Sequence, residues 1–352
     1  MTRVRPLPLP PRFTGAPFAA ADARAAGVSD GRLSGRRLTI PTRGVRSADA
    51  AAAVGDRAAA FMLALPPDVA FSHLTAAQLW GLPLTRSLES APGLHLIRRS
   101  HLPQIRREGC HGHRGLQSRA LWRLDDLPVV GREDTWCDLG ELGGSVLTVD
   151  DLIVLGDTVV TRLDTEAAAP EWADEESCAR SAARLVRAAP WQAAQSLRSG
   201  QPESGLTGRD LLAACLTSRV RPRGKVRLEE ALGLVRSGVR SPMETRSRIM
   251  FHRAGFPEPL VNEVIRDDAG GFLLEGDLVW RDQKVIGEYQ GEHHASIHRR
   301  SSDSSRASVA EDFGWTVLEI YAADVFNRPR RIACLQRFAR ALDLDPATLR
   351  VE

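Results

Sequence analysis

Three carboxylates have the spacing to act together. Glu244 lies in S-P-M-E-T-R-S-R (241–248), four residues before Arg248, behind a serine–proline pair that starts a helix. Asp277 lies in an alternating segment where Leu273, Glu275, Asp277 and Val279 are expected on one face of a strand. In the next segment Lys284, Ile286, Glu288 and Gln290 are expected to share a face. A helix meeting two adjacent strands would bring Glu244, Asp277 and Glu288 together. Hard carboxylate oxygens grouped in this way hold Mg2+ or Mn2+. Such ions activate water and stabilise charge on a leaving oxygen, which is what hydrolysis of a phosphodiester requires. The competing expectation is a salt-bridge network of the same acids with Arg246, Arg248 and Arg306.

The elements that must position these residues are legible in the last hundred residues. A helix is expected from Ser241 and Pro242 to Ala254, ended by Gly255. Strands follow at Pro259–Arg266, Phe272–Trp280 and 284–290, then a helix over Asp303–Phe313, a strand over Trp315–Tyr321 and a helix from about Arg330 to Leu342. The order α-β-β-β-α-β-α over 241–352 predicts an α/β sandwich, with Trp280 and Trp315 in its core. Upstream, 207–240 predicts two helices around S-R-V-R-P-R-G-K-V, and 190–206 reads as a linker. Residues 1–12 are a proline-rich tail. Over 13–48, a helix at 18–26, a turn at Gly27, a helix capped by Ser29 and a hairpin of Leu38–Pro41 with Arg43–Arg46 have the layout of a winged helix-turn-helix. Residues 49–189 read as an α/β region. It has helices at 57–65 and after Ser72, strands at Gly93–Arg98 and Leu127–Val130, and short helices between Thr135 and Val160. The fold class expected for the chain is mixed α/β (α+β).

Bulk composition narrows the partners. The 352 residues carry a net charge of only +3, which excludes a uniformly basic coat. The charge is nevertheless segregated: residues 1–48 hold nine arginines against Asp22 and Asp30, and 207–240 hold eight basic residues against three acids. Two basic patches on either side of an acidic middle point to phosphate contact and DNA as the partner. Lys225 and Lys284 are the only lysines among 47 basic residues. Lys284 reads as a solvated strand end. Five scattered cysteines, never in C-x-x-C, exclude a disulfide scaffold and a thiolate zinc site and favour a reducing cytoplasm. No apolar run has the length of a membrane helix, the proline-rich start has no signal-peptide core, and no P-loop or dinucleotide fingerprint is present. Cys110-His111-Gly112-His113 looks like a metal-binding fragment but lacks a fourth partner at a normal zinc spacing. His73, just after a helix cap, reads as structural, and Asp138 and Asp157 as caps or buried hydrogen-bonders.

Six blocks in order carry a resemblance. They are S-P-M-E-T-R-S-R (241–248), A-G-F-P (254–257), G-D-L-V-W (276–280), E-Y-Q-G-E-H-H (288–294), D-S-S-R (303–306) and G-W-T-V (314–317). Residues 241–342 resemble the nuclease-like domains related to very-short-patch-repair endonucleases, within the PD-(D/E)xK superfamily. The resemblance implies Asp277 and Glu288 as ligands of Mg2+ or Mn2+, assisted by Glu244. It implies an acid/base or phosphate-contact role for His294, and phosphate contact by Arg306. The superfamily lysine is absent: position 290 is glutamine, which can hydrogen-bond a water but carries no charge.

A second resemblance covers about 13–165. A-A-G-V-S-D-G-R-L (25–33), P-T-R-G-V (41–45), S-H-L-T-A-A-Q-L-W-G-L-P (72–83), R-E-D-T-W-C-D-L (132–139) and L-G-D-T (155–158) are similar to AbiEi-type antitoxin-like proteins of actinobacteria. This implies a winged helix holding DNA through Arg32, Arg36, Arg37 and Arg43, and a possible toxin partner. Two functions are therefore expected in competition. One is a metal-dependent endonuclease-like enzyme using Glu244, Asp277, Glu288, Gln290 and His294. The other is an antitoxin-like DNA-binding regulator with a degenerate nuclease fold.

Overall fold

Local signals set several element ends. Ser241 caps the helix Pro242–Ala254 by accepting the Glu244 amide at 3.2 Å, and Gly255 closes it in the left-handed region at φ 90°. The computed structural model describes residues 9–49, 53–165, 207–267, 269–291 and 312–350. The expected linker 190–206, the helix expected at Asp303–Phe313, His294 and Arg306 lie outside the described residues. The chain is mixed α/β and divides into two compact units. The first holds Met1–Leu142 with Ala213–Lys225; the second holds Gly143–Glu166, Thr207–Leu212 and Val226–Glu352.

In the first unit, β1 (Phe18–Ala19) leads into α1 (Ala20–Ala25) and α2 (Asp30–Leu33). Phe13, Phe18, Ala20, Ala23, Leu33 and Leu38 form their small core. The expected hairpin differs in its pairing. β2 (Val45–Arg46) pairs with β1, and only a Thr39–Ser47 bridge joins its flanks. Arg46 also ties this strand to α2, its Nε donating to the Leu33 carbonyl at 2.6 Å.

After α3 (Val54–Met62) comes a five-stranded mixed sheet in the order β5-β4-β3-β7-β6. Its strands are β3 (Ala70–Phe71), β4 (Leu94–Arg98), β5 (Cys110–Arg114), β6 (Leu121–Leu124) and β7 (Leu127–Val130). Between β3 and β4 lie α4 (His73–Leu79) and α5 (Arg86–Glu89); α6 (Arg132–Gly140) follows β7. β5 went unread in the sequence because its alternate residues are histidines and a glycine, not an apolar row.

The second unit begins with α7 (Val149–Thr165), one helix of 17 residues where short helices and turns were expected. α8 (Gly208–Ser218) is counted with this unit through Leu212 and with the first unit from Ala213; α9 (Lys225–Leu234) and α10 (Pro242–Ala254) follow. The sheet has the order β11-β10-β9-β8, from β8 (Leu260–Arg266), β9 (Phe272–Trp280), β10 (Val285–Gln290) and β11 (Thr316–Tyr321). α11 (Ala322–Phe326) and α12 (Arg328–Ala341) complete it. Phe251, Trp280, Ile320 and Phe338 lie at the centre of the main core.

α7 belongs with this unit, not with the region 49–189 to which the sequence assigned it. The buried Asp157 accepts from the Arg236 amide (2.7 Å), Thr245 Oγ1 (2.8 Å) and Arg248 Nη2 (3.0 Å). An ion pair with a fully buried guanidinium fixes α7 against α10.

Candidate functional site

The Glu244 carboxylate is held by its own neighbourhood. Its Oε2 accepts the Arg240 amide at 2.9 Å and Asn262 Nδ2 at 2.8 Å. Asn262 sits in β8 at φ 48°, a left-handed conformation that a non-glycine residue adopts at a cost. Its side chain also donates to the Gly238 carbonyl, so one residue clamps the approach to α10. Asn262 was missed in the sequence, where it is one polar residue in a strand.

Asp277 lies where the β9–β10 ladder stops. The last paired residues are Leu278 and Gly287; one step beyond stand Asp277 and Glu288. Asp277 Oδ2 takes the Tyr289 amide at 2.8 Å. Burial pushes the Asp277 carboxyl up to about 6; the Tyr289 amide opposes the rise, while the Glu244 charge adds to it. Among the described residues neither Glu244 nor Asp277 makes an ion pair. The expected network is built elsewhere: Arg248 pairs with Asp157 and Glu258, and Arg246 with Asp151. Arg240 pairs with Glu275 at 2.6 Å on the exposed side.

The simple alternation expected for β9 does not hold. Leu274 and Val279 pack in one cluster with Ile265 and Ile286, whereas Leu278 and Trp280 pack in the main core. A two-residue period cannot place 274 and 279 on one face, so it slips between them. Glu288 and Gln290 are half-buried in β10, in register with Glu319 and Tyr321 of β11. Lys284 precedes β10 in a turn at φ 52°, and its Nζ donates to the Phe313 carbonyl. It therefore serves the turn and does not stand on the strand face with Glu288.

In the first unit Arg36, Arg37 and Arg43 are exposed and Arg32 is half-buried. A groove of about 1020 Å³ runs beside Arg43 and Arg46 and is also lined by Arg57, Arg106 and Arg107, with Glu108 the acid among them. Arg107 is anchored: it donates to Thr42 Oγ1, the Arg43 carbonyl and the Ala64 carbonyl. Arg43 and Arg106 are the exposed cations of this groove. Arg57, Arg106 and Arg107 escaped the sequence reading because they are distant in the chain from the basic stretch 1–48.

The carboxylates are not the tightest cluster. Among the described residues, one set of three candidate ligand atoms lies within 4.8 Å of one another, and it is His73, His95 and His113. His95 and His113 come from neighbouring strands, and His73 starts α4 at φ 49°. Burial lowers His73 and His95 to about 3 and also lowers His113, so the imidazoles are neutral. Beside them Asp138 is fully buried; burial alone would raise its carboxyl, but Arg219 and Arg119 hold it well below the usual range. His73 and Asp138, read from the sequence as isolated structural residues, are thus in one neighbourhood with half of the 110–113 fragment.

Comparison with known proteins is limited to one stretch. No protein-family model matches the chain, and no solved structure matches it. Over 122 residues it is 32% identical to proteins of two Mycobacterium tuberculosis strains, described as Uncharacterized protein MT2308 (CDC 1551 / Oshkosh) and Uncharacterized protein Rv2248 (H37Rv). The matched stretch is 34% of this chain and spans 44% of the length of those relatives. Among the described residues no helix is long and apolar enough to cross a membrane.

Proposed function

We propose that the chain is a DNA-binding protein with a metal-dependent, endonuclease-like phosphodiesterase site in its second unit. The observation that carries this reading is Asp277. It is a half-buried carboxylate inside β9 where the pairing with β10 ends, one step from Glu288, with its proton affinity raised by burial and by Glu244. A carboxylate that burial and a like charge make costly to ionise gains most from a divalent ion beside it.

Asp277 and Glu288 would hold Mg2+ or Mn2+. The bound ion would supply an activated water and charge stabilisation at the leaving oxygen. Glu244 has one oxygen committed to Arg240 and Asn262, so its part is to keep the site acidic and α10 in place. Gln290 lies two residues beyond Glu288 and would orient water through its amide. His294 and Arg306 would contact phosphate, on the strength of the resemblance alone. The exposed Arg43 and Arg106, with Arg36 and Arg37, would hold the DNA backbone.

The test is nicking of supercoiled plasmid with Mg2+ or Mn2+. Metal-dependent nicking by the wild type, abolished in Asp277→Ala, is the expected result; equal activity in both refutes the site. A second reading, a DNA-binding regulator of the antitoxin-like kind, is favoured by Gln290 in place of a lysine. Tight DNA binding indifferent to chelator, with no nicking, decides for it.

A further inference from the structure

We propose that His73, His95 and His113 form a binding site for a borderline divalent transition ion of the zinc class, separate from the carboxylate site. The proposal does not rest on the phosphodiesterase reading.

The three imidazoles arrive from three chain segments on one face of the five-stranded sheet. His95 Nδ1 faces His113 Nε2 at 3.0 Å. Two nitrogens bound to one tetrahedral ion at about 2.0–2.1 Å stand roughly 3.3 Å apart, so a small outward shift admits the ion. All three candidate ligand atoms fall within 4.8 Å; the His73 and His113 rings stack with centroids 3.6 Å apart, so His73 must turn out of that stack to aim its nitrogen at the ion. His73 Nδ1 is hydrogen-bonded to Ser72 Oγ at 3.0 Å, which leaves Nε2 as its ligating nitrogen. A hydrogen bond on the far nitrogen is the usual support of a metal-bound histidine.

Asp138 supplies an independent observation. Its Oδ1 accepts from Arg119 and Arg219, but its Oδ2 is buried with no hydrogen-bond partner. The Asp138 charge acts on both His73 and His113. A buried anionic oxygen whose charge reaches two of the three imidazoles is an acceptor that a bound ion, or a water on it, would engage. The donor set excludes the metal expected at the carboxylates: imidazole suits zinc, cobalt, nickel or copper, whereas Mg2+ takes oxygen. Three protein donors leave a fourth position open.

The experiment uses the full chain, stripped with chelator, in Zn2+ calorimetry and in Co2+ titration followed by visible absorption. The expected result is one Zn2+ per chain and visible Co2+ bands of four-coordinate intensity. Outer-layer changes at such sites cost 10–100-fold in affinity, so His113→Gln should weaken binding by roughly 100-fold or more. Asp277→Ala should bind Zn2+ as the wild type does; loss in Asp277→Ala with retention in His113→Gln would move the ion to the carboxylates and overturn the proposal. Circular dichroism checks that His113→Gln is folded. If it is not, X-ray absorption of the Zn2+-loaded wild type decides, three imidazole ligands supporting the site and an oxygen-only shell overturning it. Absence of both Zn2+ binding and Co2+ bands in the wild type means the histidines are a hydrogen-bonded core, and the proposal fails.

Discussion

Replacing Asp277 by asparagine should stabilise the metal-free protein at pH 8 and change it little at pH 4. The Asp277 carboxyl rises from an ordinary 3.8 to about 6 in the fold, chiefly by burial, opposed by the Tyr289 amide and augmented by Glu244. The folded state therefore binds this proton more tightly than the unfolded chain does. Below about 3.8 both states hold the proton and the site costs nothing. Between 3.8 and 6 the unfolded chain releases it first, so stability falls as pH rises; above 6 the full cost is present. The gap corresponds to about 3 kcal/mol at 1.36 kcal/mol for each factor of ten. Asp277 is only half-buried, and water screens part of that cost, so about 1–2 kcal/mol is expected in practice. Asparagine removes the charge and keeps an oxygen for the Tyr289 amide. Urea unfolding followed by tryptophan fluorescence, at pH 4, 6 and 8, measures the difference between the two proteins. Mg2+ at ten times its Kd should stabilise wild type by about 1.4 kcal/mol at pH 8 and leave Asp277→Asn unmoved. A loss of stability in Asp277→Asn that is the same at every pH refutes the electrostatic account. It would mean that the carboxylate is a neutral packing and hydrogen-bonding group.

Other expectations concern the scaffold and the basic groove. Asp157→Ala removes the buried one of two carboxylates paired with Arg248 and two further hydrogen bonds, and should cost about 3–5 kcal/mol. Urea unfolding would measure this, and a loss under about 1 kcal/mol would show that Glu258 alone satisfies Arg248. Arg43→Ala with Arg106→Ala should flatten the salt dependence of DNA binding by about 0.9 in log–log slope for each phosphate no longer neutralised. Fluorescence anisotropy across a salt series measures it; an unchanged slope would remove this groove from the DNA-binding surface.

Much of the second unit was legible in order. The limits of α10 follow from Ser241, Pro242 and Gly255, and β9 runs over the expected Phe272–Trp280. These are local effects: a capping hydroxyl, a fixed φ and a residue tolerant of the left-handed region act within one turn of chain. The side-chain faces of β9 were less legible, because the slip between Leu274 and Val279 depends on which helix and strand cover each face. Arg248 illustrates the same limit. Helical spacing put it beside Glu244, yet its guanidinium turns to Asp157, 91 residues earlier in the chain. A buried cation goes to the anion that best replaces its water, and spacing along one helix cannot identify that anion.

The sequence by itself determined the mixed α/β class, the limits of α10 and β9, and the residue types available for chemistry. Among these is the glutamine at 290 in a chain with only two lysines. Those features depend on backbone preference and on short-range periodicity, both of which are written into neighbouring residues. Only the tertiary structure decided which residues meet. It separated Glu244 from Arg248, gathered Arg57, Arg106 and Arg107 beside Arg43 and Arg46, and brought the ligand atoms of His73, His95 and His113 within 4.8 Å of one another. The histidines are 22 and 18 residues apart along the chain, and the second gap is closed by the parallel pairing of β4 with β5. Parallel strands join residues through a crossover whose length leaves no periodic trace, so no spacing rule could have found the cluster.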